Sequence, residues 1–253
     1  MIGVFDSGSG GLTVVRAMRE VMPSCGVLYF GDIKNAPYGT KSQEELFLLT
    51  IQAIKFLTER GSTKIVSACN SVSASLALSL FDMFSLTSAD IIEMVGPTVA
   101  HFREHAGRIV LCATPATIHS GIYQHGFRMF GKNIEAIAIP ELAGAIEFGK
   151  PEAEVQAIIR MAFEKVVWAG GDVLILGCTH YPLVRELFRN VVPPTISIFD
   201  PAMAIASRVK KQFWPQEMGN GIIRFVISKD SERFRILIAQ LFGGDSYTIE
   251  VLG

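Results

Sequence analysis

Apolar, β-branched runs of four or five residues recur along the chain, separated by amphipathic stretches of helical period. Residues 2–5, 27–30, 64–68, 91–95, 109–112, 134–137, 172–176 and 195–198 read as strands. Helical patterning covers 42–60, 97–105, 152–169 and 180–190. Strands and helices in alternation have few ways to bury all their apolar faces. Parallel βαβ units with helices on both sides of a sheet are the simplest, so the expected fold is α/β and doubly wound. Beyond Ala202 the pattern continues as helix, strand, helix, strand. Strands at 222–227 and 247–251 need an existing sheet to join, so the tail is expected to return to the first half. In such sheets ligands gather at the carboxyl ends of the strands.

Those strand ends carry an internal echo. Strand 2–5 runs into Asp6-Ser7 and strand 109–112 into Ala113-Thr114; strand 64–68 meets Cys69-Asn70-Ser71 and strand 172–176 meets Gly177-Cys178-Thr179. Cys69 follows Ser7 by 62 positions, and Cys178 follows Thr114 by 64. A hydroxyl and then a cysteine at matching strand ends read as a duplicated α/β unit, giving two pseudo-symmetric sheets. A lone cysteine is usually a small buried apolar side chain. Cys25, in a connector, and Cys112, inside a strand, are assigned that role. Cys69 and Cys178 instead lie between a strand and a following helix. There the macrodipole and unpaired N–H groups favour a thiolate, below the reference pKa of about 8.5.

Two such thiols facing each other suit proton transfer at carbon, one removing a proton while the other delivers one to the opposite face. That inverts a stereocentre without a cofactor. Backbone N–H groups at Asn70-Ser71 and Thr179-His180 can hold a carboxylate as charge develops on it. Asp6 can meet an ammonium group, and Tyr38 in the turn Pro37-Tyr38-Gly39 offers a hydrogen bond at the rim.

Composition narrows the setting. The 253 residues are 49% hydrophobic and 19% charged, with 23 basic against 24 acidic side chains. So apolar a chain buries a core, and its charge balance gives no reason to expect direct nucleic-acid binding. No apolar run is long enough to span a bilayer, and the opening residues lack the regions of a leader. Four cysteines without a C-x-x-C pair make neither a disulfide framework nor a zinc site. A cytoplasmic protein with reduced thiols, a small-molecule substrate and neither a metal nor another cofactor is expected, with a homodimer among the assemblies open to it.

Four runs, in order, resemble glutamate racemases of the aspartate/glutamate racemase superfamily. They are Phe5-Asp6-Ser7-Gly8-Ser9-Gly10-Gly11-Leu12-Thr13, Pro37-Tyr38-Gly39, Ala68-Cys69-Asn70 and Leu176-Gly177-Cys178-Thr179-His180-Tyr181-Pro182. The resemblance implies a bacterial, cofactor-independent enzyme that interconverts L- and D-glutamate and supplies D-glutamate for peptidoglycan, cell-wall biogenesis and cell shape. It also implies two α/β domains, residues 1–95 with 206–253 and residues 96–205, enclosing the active site. Cys69 and Cys178 match the catalytic thiols, the first taking the proton from D-glutamate and the second from L-glutamate. Asp6, His180 and Glu147 match acid–base support positions. Asp6, Ser7, Pro37, Tyr38, Gly39, Asn70, Ser71, Thr114, Thr117, Thr179 and His180 match substrate positions. Departures are Ser71-Val72 where Thr-Ala is usual, and Ser228-Lys229-Asp230 in place of a Ser-Gly-Asp turn. A racemase of aspartate or another amino acid is the enzymatic alternative; a non-catalytic binding protein of this fold is the other.

Three further motifs have plainer readings. Gly8-Ser9-Gly10-Gly11 follows a strand as a dinucleotide fingerprint does, but Thr13 stands where the third glycine belongs. His101-Phe102-Arg103-Glu104-His105 has the spacing of a zinc motif without a third ligand, and reads as an exposed helix face. Arg208-Val209-Lys210-Lys211 reads as a solvated helix end.

Overall fold

A computed structural model of the chain describes residues 1–76, 83–215 and 219–253. Among these residues ten strands occur: β1 (Ile2–Asp6), β2 (Val27–Gly31), β3 (Ile65–Ser67), β4 (Ile91–Ile92), β5 (Ile109–Ala113), β6 (Glu135–Ala138), β7 (Val173–Gly177), β8 (Ser197–Phe199), β9 (Ile223–Ile227) and β10 (Tyr247–Val251). They form two wholly parallel sheets, ordered β10-β9-β2-β1-β3-β4 and β6-β5-β7-β8. The run β2-β1-β3-β4 matches β6-β5-β7-β8 strand for strand, which is the duplicated unit that the strand-end echo predicts. The tail returns, and β9 and β10 extend the first sheet beyond β2.

Each sheet is buried on both faces, as parallel sheets require. Ile2 and Val4 of β1 pack into one apolar cluster with the helix Leu12–Val21 and the helix Ala202–Phe213. Phe5 enters a second cluster with Leu28 and Phe30 of β2, over the helix Gln43–Glu59. The second sheet divides likewise. Val110 and Cys112 of β5 face the helix Glu152–Phe163, whereas Ile109 and Leu111 face Tyr123 and Phe127 of the helix Ile122–Arg128. Neighbouring residues of one strand therefore serve different cores, the period-two consequence of a pleated strand.

The elements are shorter than the pattern suggests. β4 stops at Ile92 because the Glu93 carboxylate accepts the N–H groups of Val95 and Gly96, each at 2.6 Å, and opens the helix Val95–His101. The segments after the two cysteines correct the sequence expectation of α-helices. Asn70–Ser75 and Tyr181–Val184 are 3₁₀ turns, the latter followed by a short helix Arg185–Arg189. Their N–H groups reach only three residues back, from Val72 to Cys69, Tyr181 to Cys178 and Leu183 to His180. The tight winding leaves little macrodipole.

Strand order reverses beside β1 in one sheet and beside β5 in the other. Each reversal opens a crevice at the carboxyl ends. Asp6, Ser7 and Cys69 bound one crevice, Thr114 and Cys178 the other.

Candidate active site

We call the first sheet with its helices the first lobe, and the second sheet with its helices the second. Cys69 ends the β3 segment of the first lobe and is buried. The Ser7 hydroxyl and the Ser71 backbone N–H face its sulfur, and Asp6 and Cys178 are both within electrostatic reach. Burial first, then the negative charge of Asp6 and Cys178, push the Cys69 thiol well above its ordinary range, against the pull of Ser7 and Ser71. This corrects the expectation of a thiolate favoured by a helix N-terminus. Ser71 is also reassigned in part, since its N–H serves the sulfur.

Cys178, at the end of β7, has a different neighbour. His180 Nδ1 lies 3.8 Å from the Cys178 sulfur, and His180 Nε2 lies 2.6 Å from Glu147 Oε2. His180 and Glu147 are each only 2% exposed, so solvent does not screen the pair. Burial opposes a charge on the imidazole, but the Cys178 sulfur and the Glu147 carboxylate outweigh it and hold His180 protonated above its ordinary range. Burial likewise opposes charge on Glu147, and hydrogen bonds from His180 and Ser9 outweigh it, keeping the carboxyl below its ordinary range. Glu147 ends the helix Leu142–Glu147, a segment that helical patterning does not single out.

Buried hydrogen bonds cross between the lobes around the thiols. The Thr179 hydroxyl donates to Asp6 Oδ1 at 3.0 Å, while Asp6 Oδ2 accepts the Gly8 N–H at 3.0 Å. The Ser9 hydroxyl donates to Glu147 Oε2 at 2.6 Å, and the Ser71 and Thr114 hydroxyls hydrogen-bond at 2.9 Å, with the Thr117 hydroxyl 3.1 Å beyond Thr114. Tyr123 donates to Asn70 Oδ1 at 2.7 Å. That bond fixes the Asn70 amide, leaving its Nδ2 as a buried donor without a partner, the arrangement expected of a group that waits for an anionic ligand.

The glycine run explains how the lobes approach so closely. A Cβ on Gly8 would lie 2.7 Å from the Glu147 carboxylate, and one on Gly10 would lie 2.5 Å from Thr179 Oγ1 and 2.7 Å from His180 Nδ1. Gly39 plays the same part at the rim, where a Cβ would lie 2.5 Å from Thr114 Cγ2. These glycines make room for the opposite lobe. His101, from the zinc-like motif, stacks on Phe199 with ring centroids 4.6 Å apart.

Tyr38 corrects another expectation. Its hydroxyl donates to Asp32 Oδ2 at 2.6 Å and is buried, so it is not a rim donor. Asp32 also accepts from Asn35 and from Ser228, which lies in the unusual tail turn. Asp32 thus pins the Pro37-Tyr38-Gly39 turn to the end of β9. Neither Asp32, Tyr123 nor Ser9 was identified from sequence, since each acts through a contact that no local pattern marks. Beside the turn, a cavity of about 390 Å³ opens between residues 39–43 and the helix Pro115–Ser120.

The model of the Asp/Glu/Hydantoin racemase family matches residues 11–209. A glutamate racemase of Desulforudis audaxviator is 33% identical over 256 aligned residues, covering 96% of this chain and 93% of that protein. Among solved structures, a glutamate racemase isoform of Bacillus anthracis superposes with a TM-score of 0.87 at 25% identity, covering 100% of this chain and 97% of the other. The glutamate racemase of Francisella tularensis, solved in complex with D-glutamate, superposes at 0.86 with 26% identity over 100% and 97% of the two chains. With two like-ordered parallel sheets and a matching profile over most of its length, the chain belongs to the Asp/Glu/hydantoin racemase family, is an amino-acid racemase, and groups within that family with the glutamate racemases.

Proposed function

We propose that the enzyme interconverts L- and D-glutamate by proton transfer between two thiols on opposite faces of the α-carbon. The observation that carries this reading is the pair of buried cysteines at the ends of equivalent strands, in lobes that the hydrogen bonds Thr179–Asp6 and Ser71–Thr114 join beside them. Cys69, held as a thiol, has a proton to give; on the other side His180 stands beside the Cys178 sulfur to exchange one. With L-glutamate bound, Cys178 takes the α-proton and Cys69 delivers its own to the other face. The reverse direction exchanges the roles. As the α-proton leaves, negative charge spreads onto the substrate carboxylate, where the Asn70 amide donor can meet it. Asp6 would meet the ammonium group, and Ser7, Ser71, Thr114, Thr117 and Thr179 would supply hydroxyls around the remainder.

Neither thiol has to pass electrons or form a bond to carbon, so the reaction needs no carbonyl or redox cofactor. It does need both sulfurs reduced. Cys69 and Cys178 carry free thiols, and a reducing compartment such as the bacterial cytoplasm would keep them so. There the product would feed peptidoglycan synthesis. The two domains would be residues 1–95 with 206–253, and residues 96–205. The purified enzyme, incubated with L-glutamate, L-aspartate or L-alanine without added cofactor, should lose optical rotation fastest with glutamate. Faster loss with aspartate would reassign the substrate, and activity that depends on added pyridoxal phosphate would overturn the mechanism.

A further inference from the structure

We propose that Ser9 is a positioning residue for proton transfer at Cys178: it grips Glu147 from the opposite lobe and so couples the chain Cys178–His180–Glu147 to closure of the enzyme. The inference rests on the two-base reading above. Glu147 Oε2 accepts three hydrogen bonds, from the Ser9 N–H at 2.9 Å, the Ser9 hydroxyl at 2.6 Å and His180 Nε2 at 2.6 Å. Two of the three come from the first lobe, although His180 and Glu147 both belong to the second. Ser9 has no exposed surface, and Gly8 beside it leaves no space for a side chain under the carboxylate. The seat for Glu147 is therefore built into the turn after β1.

Closed, the carboxylate is held in one orientation and keeps its charge on the imidazole. Parted lobes would take away two of its three donors, and Glu147 would be free to rotate off His180. Nothing equivalent reaches Cys69 through Ser9, because Asp6 is held by Gly8 and Thr179 instead. The effect of Ser9 should thus be confined to transfers made by Cys178.

Elimination of HCl from the two enantiomers of threo-3-chloroglutamate tests this, since it needs one base only. The base takes the α-proton, the C–H electron pair forms the Cα=Cβ bond, and chloride leaves from Cβ. The enamine then hydrolyses to 2-oxoglutarate and ammonium. Ser9→Ala removes the hydroxyl and keeps the N–H. It should slow elimination roughly tenfold for the enantiomer that Cys69→Ser still consumes, and leave the other within about twofold, as loss of one hydrogen bond to a charged group would. Adding Ser9→Ala to Glu147→Gln should cost less than Ser9→Ala costs alone, because the hydroxyl acts through Glu147. Equal slowing of both enantiomers, no slowing, or full additivity with Glu147→Gln would overturn the inference while the two-base reading stands. Cys69→Ser and Cys178→Ser consuming the same enantiomer would instead remove the two-base reading, and this inference with it.

Discussion

The two lobes share a backbone plan and differ in the chemistry hung on it. Cys69 and Cys178 end equivalent strands, β3 and β7, beside equivalent strand-order reversals. Cys69 is surrounded by Asp6, Ser7 and the Ser71 N–H, without an imidazole, and is held as a thiol by burial and nearby negative charge. Cys178 has His180, backed by Glu147 and then Ser9. Duplication supplies two facing walls, and divergence of the side chains gives each sulfur different neighbours. A perfectly symmetric pair of buried thiols could also share one proton, but nothing would assign it to one sulfur over the other.

The largest effect expected on this comparison comes from the thiols themselves. Cys69→Ser and Cys178→Ser should each reduce racemisation by more than the ~10²–10⁴-fold typical of single acid–base groups, because on the two-base reading both directions need both sulfurs. Cys25→Ser, in a connector of the first lobe, should stay near the parent rate apart from any folding cost. A smaller loss is expected from forcing the lobes apart. In Gly10→Ala the new methyl must displace Thr179 or His180. Overpacking of this kind costs about 1–3 kcal/mol, a roughly 5- to 150-fold fall in kcat/KM if it falls on closure. Steady-state kinetics at the parent's KM would show it.

The pH dependence of stability separates the lobes next. The folded-state value of Glu147 lies below its unfolded one, so its contribution is present above the ordinary carboxylate range of about 4.3 and is lost as pH falls through the folded value. His180 has the opposite sign. Its folded value is raised, so its contribution is present below about 6.5 and disappears as pH rises through the folded value. The melting temperature of the parent should therefore fall on acidification more steeply than that of Glu147→Gln, whose amide does not titrate. Parallel acid limbs would contradict the assignment. The smallest change in turnover is expected from Tyr38→Phe. Because the hydroxyl serves Asp32, its loss should cost about 1.5–3 kcal/mol of stability and leave kcat near the parent value.

Much of this architecture is legible in the sequence because it depends on local periodicity. Strand ends fall where the apolar runs stop, so Asp6, Cys69, Thr114 and Cys178 can be placed on two matching edges from the pattern alone. The winding of the chain just after those ends is not legible. An N–H that reaches back three residues instead of four leaves no mark in the pattern, and with it goes the expected thiolate at Cys69. Partners distant in sequence are hidden as well. Ser9 meets Glu147 across 138 positions and Tyr123 meets Asn70 across 53. The glycine run reads as a tight turn for the same reason, since the side chains that demand its missing Cβ atoms come from the other lobe. Tyr38 shows the opposite error, a polar side chain at an expected rim that turns inward to a buried carboxylate.

The central claim, two bases on opposite faces, is tested most directly by the fate of the α-hydrogen in deuterium oxide. L-Glutamate is converted to low extent, and the product and the recovered substrate are each analysed for deuterium at the α-carbon. With separate thiols, the D-glutamate formed takes its hydrogen from the sulfur opposite the one that removed the proton. The product should be deuterated almost completely, while the remaining L-glutamate stays protiated. Deuterium entering both enantiomers at the same rate, or D-glutamate that keeps the substrate's own hydrogen, would mean that one group serves both faces.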